Sequence, residues 1–503
     1  MKNISTIFRF EWQQLVRAKL MRWLLLLITA CSCYAIYYGN QSIGRQVQNI
    51  AFLEHLNDST KQVFHNYFTN KQVADSMRFG WADMNSLYDG FTTENYLENN
   101  IAVNKPNRLS HVSIGQRDVY PVYRKVTARS LYYDGSGISL DDKYAETNNP
   151  HKLLAGNFDL SFVFLYLFPL LIIALCYNIL SQEKEQGTFP ILNTQPVSLI
   201  KIVAYKFLFK FILVVSLVFI YSLLGYLFSP VTQPFPLLSF LSWLAILSSY
   251  MFFWFAIAFL IVSFKYNSSV NALSLVGCWM LFLIIIPSLI NNYIAANYKI
   301  SSRTKFVTEV GKQIGSLWNL DDSLLLPEYY KAYPHYATNP TKALWSKEDS
   351  FDSLGKNENI DNRYNKRIIV WHYILDYRIK KQLVIYNQQI LNKLSAAEKF
   401  AWLNPAVTTQ EALNDISASG YRQNQQFRNA TAAYQDTVFN TTNRFIFGDK
   451  KLTLDDYKSY PAFRIDNTSI NTKEVISAIA LLLVISGFFI GLGVLTFNKK
   501  NND

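Results

Sequence analysis

Long apolar runs are the feature that most constrains the fold of this chain. Six stretches of about 20 mainly apolar residues occur along it, and an α-helix of that length crosses the roughly 30 Å hydrocarbon core of a bilayer. Hydrocarbon accepts only backbone whose polar groups bond to one another, so such runs predict membrane-spanning helices. The predicted spans are residues 20–38, 160–180, 203–227, 238–262, 273–293 and 475–497.

Composition indicates that water-soluble segments accompany these spans. Half of the 503 residues are hydrophobic and 16% are aromatic, yet the mean hydropathy is only +0.06. The predicted fold class is an α-helical polytopic membrane protein with six transmembrane helices and a mainly helical extracytoplasmic domain, with some β structure, built from two insertions. The predicted domains are 1–38 (interfacial helix and first span), 39–157 (first extracytoplasmic segment), 158–293 (second to fifth spans, with a cytoplasmic loop at 181–199), 294–474 (second extracytoplasmic segment) and 475–503 (sixth span and cytoplasmic tail).

The positions of Lys and Arg predict the orientation, because basic residues in short flanking segments favour the cytoplasmic side. With both termini cytoplasmic, the inner flanks carry Lys2, Arg9, Arg17, Lys19, Arg22, Lys184, Lys201, Lys206, Lys210, Lys265, Lys499 and Lys500. The short outer connection at 229–236 carries no charge. The net charge of +12 is therefore mainly a topology signal and does not imply nucleic-acid binding.

The spans indicate where the energy for any transport comes from. The second to sixth contain no Asp, Glu, Arg or His, and only Lys206 and Lys210 near one end of the third, where their long stems are expected to carry the amines to water. Transporters driven by ions or protons place such groups inside the membrane. The chain also lacks a phosphate-binding P-loop, since Gly311-Lys312 and Gly355-Lys356 have no upstream glycine at the required spacing. Energy is therefore expected from a protein that binds this one.

A charged break separates the second and third spans. Residues 181–190 read Ser-Gln-Glu-Lys-Glu-Gln-Gly-Thr-Phe-Pro. Acidic residues flank Lys184, Gly187 permits the backbone to turn after a short helix, and Pro190 limits its continuation. This pattern favours a short helix at the membrane face that contacts a second protein. The alternative is a solvated loop whose charges only keep it out of the bilayer.

Three stretches resemble the membrane (permease) subunit of an ABC-2 type transporter, in the subgroup with a large extracytoplasmic insert. They are the basic amphipathic N-terminus at 8–17, the loop at 183–188 and the entry to the third span at 195–201. Asn404, Pro405, Ala406 and Phe427 also resemble a stretch that precedes the final span in that subgroup.

The resemblance implies a site for coupling to a separate ABC ATPase subunit. The ATPase-coupling residues are Gln182, Glu183, Lys184, Glu185, Gln186, Gly187 and Thr188, and the interfacial helix carries Phe8, Glu11, Trp12 and Arg17. ATP and Mg²⁺ are expected on the partner ATPase, with no cofactor on this chain. The resemblance also implies a homodimer or a pair with a sister permease, in the lipid bilayer of a bacterial cytoplasmic (inner) membrane.

Other patterns are less informative. Gly487 and Gly491 have the small-residue spacing that lets membrane helices pack closely, within one chain or between chains. Residues 28–31 resemble a lipoprotein cleavage box, an alternative in which the chain is processed at Cys31. All the cysteines lie in predicted spans, so no disulfide framework is expected outside them; they are Cys31, Cys33, Cys176 and Cys278.

No catalytic or metal site is predicted. His335 and His372, with Asp352 and Asp376 nearby in the sequence, belong to no hydrolase or zinc-protease motif. In the soluble segments, helices are predicted at 50–68, at 368–394 with an extension over 396–402, and at 408–439; strands at 112–133; and irregular structure at 318–365.

Three functions remain open at this stage. The first is a permease subunit that couples ATP hydrolysis by a partner to export of an unidentified substrate. The second keeps that architecture but transmits ATP-driven motion to the extracytoplasmic domain without transport. The third is a membrane-anchored enzyme, which requires a cleft with convergent titratable groups in the outer domain.

Overall fold

A computed structural model of the chain describes most of its residues. The described ranges are 2–69, 78–79, 82–83, 100–126, 156–190, 197–232, 237–299, 303–318, 320–337, 358–447, 454–465 and 472–502. Within them the helices are α1 Lys2–Arg17, α2 Lys19–Thr69, α3 Leu160–Phe162, α4 Phe168–Cys176, α5 Ser181–Glu185, α6 Leu199–Leu227, α7 Leu237–Ser263, α8 Ser268–Met280, α9 Ile286–Asn297, α10 Arg303–Trp318, α11 Asp322–Ala332, α12 Pro334–Ala337, α13 Glu358–Lys399, α14 Pro405–Ile416, α15 Tyr421–Ile446, α16 Leu454–Lys458 and α17 Thr472–Asn502. The strands are β1 Arg78–Phe79, β2 Ala82–Asp83, β3 Asn100–Val103 and β4 Tyr123–Val126.

Six helical segments of the described chain are long and apolar enough to cross a membrane, which confirms the predicted number. They are Lys19–Ser59, Leu160–Glu185, Leu199–Leu227, Leu237–Ser263, Ser268–Asn297 and Thr472–Lys499. The predicted spans lie inside these segments. Which side of the membrane each end faces stays a prediction.

The first span is part of a much longer helix. α1 ends at Arg17, and α2 then runs for 51 residues from Lys19. At 1.5 Å per residue this is roughly 75 Å, more than twice the thickness of the hydrocarbon core. The far half of α2 therefore extends out of the membrane region, and it includes the helix predicted at 50–68.

Two spans contain a widened π-helical turn just before a proline. In the second span the turn Val163–Leu167 precedes Pro169, and in the fifth the turn Leu281–Ile285 precedes Pro287. Proline lacks an N–H group and its ring crowds the carbonyl one turn earlier. A π turn accommodates this mismatch while the helix continues.

The membrane core is centred on α7. This helix packs along α17 and also contacts α4, α6 and α8. Its side chains Trp243, Tyr250 and Trp254 are almost completely buried. Tyr250 donates a hydrogen bond to the carbonyl of Leu165 (2.9 Å), which the π turn of the second span leaves accessible.

A short helix from the second insertion enters this core. α14 contacts α7 and α17, and its apolar side chains Ala412, Leu413 and Ile416 belong to the membrane cluster. The helical region predicted at 408–439 is divided into two helices, because the chain turns at 417–420 and α15 begins at Tyr421. Ala418 takes a positive φ of 51° at this turn.

A second apolar cluster forms the core of the soluble domain. It is built from α10, α11, α13 and α15, with Ala102 of β3 and Val126 of β4. The helix predicted at 368–394 is confirmed within the longer α13. The prediction that 318–365 is irregular is wrong for α11, α12 and the start of α13, whereas 338–357 lies outside the described residues.

Strand is confined to short antiparallel pairs in the described residues. β1 pairs with β2, and β3 pairs with β4 with Asn100 opposite Val126 and Val103 opposite Tyr123. Of the region predicted as strands, 112–122 forms turns and coil, only β4 is a strand, and 127–133 lies outside the described residues. Proline at 121 and the apolar surroundings of 109–114 explain why that stretch packs as a buried loop.

Candidate functional site: the charged loop and the buried loop

The charged loop (residues 181–188) forms one helical turn that closes on itself. The amide of Gly187 donates to the carbonyl of Lys184 (3.1 Å), and the amide of Thr188 donates to the carbonyl of Glu183 (3.0 Å). Gly187 takes a φ of +72°, the left-handed conformation that ends a helix and favours glycine. The short helix and its glycine turn are as the sequence predicts.

Glu183 points from this loop toward the third span. Its carboxylate accepts a hydrogen bond from Lys206 (2.9 Å), and its second oxygen accepts one from the hydroxyl of Thr188 (2.5 Å). These bonds satisfy both oxygens of a half-buried carboxylate. Glu183 and Thr188 therefore anchor the loop and present little surface to a partner.

A buried cluster of charges joins the third span to the N-terminal helix. Glu11 is 3% exposed and lies 3.5 Å from Lys206 and 3.6 Å from Lys210, which are 7% and 9% exposed. Lys210 also donates to the carbonyl of Leu175 (2.6 Å) in the second span. The expectation that these two lysines reach water is wrong, because a carboxylate on another helix is close enough to neutralise them.

The sequence does carry a signal for this cluster. Lys206 and Lys210 are four residues apart and so share one helix face, and Glu11 is an acid among the basic residues of the amphipathic N-terminus. Charges buried in a membrane protein are almost always paired. The pairing across helices, however, needs the tertiary structure.

The remaining residues predicted on the interfacial helix differ in exposure. Phe8 packs edge to face on Phe209 of the third span, with ring centroids 5.3 Å apart. Trp12 and Arg17 are exposed. Gln14 donates to the side chain of Gln182 (3.1 Å), so α1 contacts the charged loop directly.

A third anchor comes from the turn between the fourth and fifth spans. The carboxylate of Glu185 accepts hydrogen bonds from the amide and the hydroxyl of Ser268 (2.8 and 3.0 Å), at the N-terminus of α8 where a negative charge is favoured. Lys184 donates to the carbonyl of Lys265 (3.0 Å). The loop is therefore held by α1, by α6 and by the start of the fifth span.

The exposed part of the charged loop is a tip of four residues. Lys184, Glu185, Gln186 and Gly187 are exposed, whereas Gln182, Glu183 and Thr188 are at least half buried. A force on this tip reaches the N-terminal helix α1 and two membrane spans through short hydrogen bonds and ion pairs. The geometry suits a contact that moves helices.

At the opposite end of the membrane bundle lies a second loop, the buried loop (residues 104–118). Its side chains Leu109, Val112 and Ile114 are 0% exposed. His111 donates from Nε2 to the carbonyl of Gly225 (2.8 Å), and Arg108 donates to the carbonyl of Tyr226 (3.3 Å). These bonds cap the end of the third span.

The buried loop also binds the start of the second span. Asp159 is 3% exposed, accepts from the amide of Phe162 as the helix N-cap (2.9 Å), and accepts from the amide of Ile114 (2.8 Å). Burial raises the pKa of Asp159 despite the hydrogen bonds that favour its carboxylate, which come from Ser161, Phe162, Ile114 and Gly115.

The same loop reaches the turn at 417–420 that links α14 to α15. Asn107 donates to the carbonyl of Ile416 (2.9 Å), and Ser110 donates to that of Ser417 (2.7 Å). The guanidinium of Arg117 donates to the carbonyl of Ala418 (3.1 Å). One loop therefore connects the second span, the third span and the inserted helix α14 with the soluble domain.

The predicted packing glycines face away from the described part of the chain. A Cβ added at Gly487 or Gly491 would meet nothing within 4 Å, whereas one added at Gly493 would lie 2.8 Å from Phe259. Close packing within this chain therefore occurs at Gly493. Packing of Gly487 and Gly491 against another chain stays a prediction.

The histidines considered for catalysis lie in the soluble domain. His335 packs on Tyr336, with ring centroids 4.0 Å apart, and His372 is buried edge to face with Trp371. Asp352 lies outside the described residues. In the described part of the chain no group of three His, Cys, Asp or Glu side chains is arranged to hold a metal ion, and the four cysteines are free thiols.

Comparison with known protein families gives a match over nearly the whole chain. The family model described as "ABC-2 family transporter protein" matches residues 5–501, nearly the whole chain. No curated protein and no solved structure matches this chain.

Proposed function

This chain belongs to the ABC-2 transporter family, and we propose that it is the membrane subunit of an exporter moved by a separate ATPase subunit through the exposed tip of the charged loop. Family membership indicates a transporter membrane subunit rather than an enzyme. ATP and Mg²⁺ bind the partner chain in this proposal. The observation that carries it is that the loop exposes four tip residues while hydrogen bonds and ion pairs tie it to three helices.

Rigidity of the anchors is what makes the tip useful. If the partner pushes on Lys184 to Gly187, the bonds of Glu183 and Glu185 pass the displacement to α6 and to the fifth span. A flexible loop would absorb the same displacement by local motion. Because Glu11 pairs with Lys206 and Lys210 in the interior, α1 moves together with α6.

The test is co-purification with the candidate ATPase and its stimulation by this chain in liposomes. Gln186→Trp places a bulky side chain on the tip, and we expect it to reduce both binding and stimulation. Gln48→Trp adds the same side chain to an exposed position on α2 at the other end of the bundle and serves as the control. Normal stimulation by the Gln186→Trp complex would refute coupling at this loop.

Sidedness and stoichiometry belong to the same proposal. We propose a cytoplasmic tip, cytoplasmic termini, location in a bacterial inner membrane, and two permease copies or a pair with a sister permease. A cysteine at 186, in a background without the four native cysteines, should react with an impermeant maleimide only in inverted vesicles. Labelling from the outside of intact cells would overturn the proposal.

The buried loop favours a second candidate function, force transmission to the soluble domain without transport. Bonds from one loop to the second span, the third span and α14 give membrane motion a direct path into that domain. The discriminating measurement is the distance between spin labels on α13 and α17 with and without ATP. Domain motion in a complex that moves no solute would favour this candidate, and solute movement with a static domain would favour export.

A further inference from the structure

A cleft outside the membrane bundle has the size and lining of a ligand site. Its volume is about 830 Å³, within the range of about 300–1,000 Å³ for small-molecule pockets. One wall is the part of α2 beyond the membrane, and the other is formed by residues 117–123 with parts of β3 and β4. The cleft lies at the end of the bundle opposite the charged loop.

The charges of the cleft are mainly positive. Arg45, Arg117 and Lys125 line it, against the single carboxylate of Asp118 among its described residues. Arg45 is exposed and forms no ion pair with a described residue. The cleft therefore favours an anion.

Arg117 strengthens this conclusion because its charge is buried. It is 4% exposed, and its guanidinium donates to Gln46 (3.3 Å) and to the carbonyls of Ala418 (3.1 Å) and Asn104 (2.6 Å). All these partners are neutral, and burial lowers its pKa to about 10, which still leaves it protonated at neutral pH. Arg117 forms no ion pair with a described carboxylate, a buried cation without such a pair is costly, and a bound anion would offset that cost.

The lining changes character along α2. Gln41, Arg45 and Asn49 lie near the membrane, and the apolar side chains Phe52 and Leu56 follow on the same wall. Phe52 and Leu56 are 62% and 44% exposed, so their apolar surface is available to a ligand. From residue 45 to residue 56 the helix rises roughly 16 Å, enough for a head group and an aliphatic chain.

We propose that this cleft binds an amphipathic anion, with its anionic head beside Arg45 and Arg117 and its aliphatic chain along Phe52 and Leu56. The ligand comes either from solution, as a fatty-acid-like anion, or from the membrane, as an extracted anionic lipid. Asp118 also lines the cleft and accepts a hydrogen bond from Asn157 (3.0 Å), and its negative charge disfavours strongly polyanionic ligands. The proposal does not depend on ATP coupling, because binding is measured on this chain alone.

The experiment measures radiolabelled oleate binding to the purified chain in nanodiscs of neutral phosphatidylcholine. We expect saturable binding that oleyl alcohol, with the same chain but no charge, does not displace. Arg45→Gln and Phe52→Asn should each weaken binding by about 3- to 10-fold, since each removes one contact with the head or the chain. Both residues are exposed, so neither variant is expected to unfold the chain.

Lys61→Gln is the matched control, because it removes one positive charge from the same helix at a position that does not line the cleft.

A second experiment measures oleate binding after phosphatidylglycerol is added to the nanodiscs. Competition with oleate identifies a membrane lipid as a source of ligand, and absence of competition identifies a free amphiphile. Non-saturable binding, equal displacement by oleyl alcohol, or unchanged affinity in both cleft variants would overturn the proposal.

Discussion

Two loops at opposite ends of the membrane bundle are held in different ways. The charged loop is anchored by long ionic side chains, Glu183 to Lys206 and Glu185 to the start of α8, and it leaves its tip exposed. The buried loop is anchored mainly by hydrogen bonds to backbone carbonyls, and its apolar residues are inaccessible to solvent. In the proposed function, the first arrangement lets a partner bind and push, whereas the second transmits displacement between elements of the same chain.

The largest expected effect comes from breaking the charged anchor. Glu11→Leu leaves Lys210 buried with only the carbonyl of Leu175, and breaking such a buried pair costs about 3–5 kcal/mol. We expect a large loss of stability against unfolding by SDS in mixed micelles, followed by tryptophan fluorescence.

The double variant Glu11→Leu with Lys210→Met should recover much of this loss, because it removes the orphaned charge as well. Lys312→Gln breaks an exposed pair with Glu309 and should change stability by less than about 1 kcal/mol. An equal effect of Glu11→Leu and Lys312→Gln would mean that the charged anchor is no stronger than a surface contact.

The buried loop should respond to pH through His111. Burial lowers the pKa of His111 from 6.5 to about 4, and the hydrogen bond with Gly225 only partly opposes this. Between pH 6.5 and about pH 4, His111 binds more protons in the unfolded chain than in the folded chain. The contribution of neutral His111 to the free energy of unfolding is therefore fully present above pH 6.5. It is lost as the pH falls toward 4, by at most about 3 kcal/mol.

The measurement is the melting temperature of the purified chain between pH 7.5 and 4.5, compared with that of His111→Gln. The variant should show a shallower decline, because glutamine keeps a donor but does not titrate. Parallel profiles for the two proteins would show that His111 does not carry this dependence.

Close packing at the buried loop gives the next effect. The Cβ of Gly39→Ala would overlap the backbone carbonyl of His111, and overpacking of this kind costs about 1–3 kcal/mol. Gly277→Ala is the control, since its Cβ meets nothing within 4 Å and alanine favours a helix by up to about 1 kcal/mol. We expect melting temperatures to move in opposite directions. A tolerated Gly39→Ala would mean that the buried loop can shift away from α2.

The sequence predicts the spans and the charged loop well, and for physical reasons. Apolar length is a local property, and the turn at Gly187 follows from one residue with a preference for positive φ. Only residues 112–118 of the buried loop fall in the stretch predicted as strands, and β-branched and aromatic residues there do not distinguish a strand from apolar coil. The bonds of the buried loop run to Gly225 and Ile416, more than a hundred residues away, and no local pattern records such contacts.

The same limit applies to the charges. A lysine near a helix end reaches water unless a carboxylate on another element pairs with it. The partner of Lys210 is Glu11 of α1, which lies before the first span in the sequence. The predicted site residues also differ in a way that spacing does not reveal. Gln186 and Gly187 are exposed, but Glu183 faces inward because Lys206 lies on the adjacent helix.

The smallest expected effect on stability, but a specific one on coupling, comes from the glycine that ends the charged loop. Gly187→Val forces a branched residue into a φ of +72°, at a local cost of about 1–2 kcal/mol. The loop is exposed there, so the tip should rearrange while the melting temperature changes little. Gly187→Asn is the matched control, because asparagine tolerates the left-handed conformation. We expect stimulation of the partner ATPase to fall in the valine variant and to persist in the asparagine variant; equal stimulation in both would show that the shape of the tip is not read by the partner.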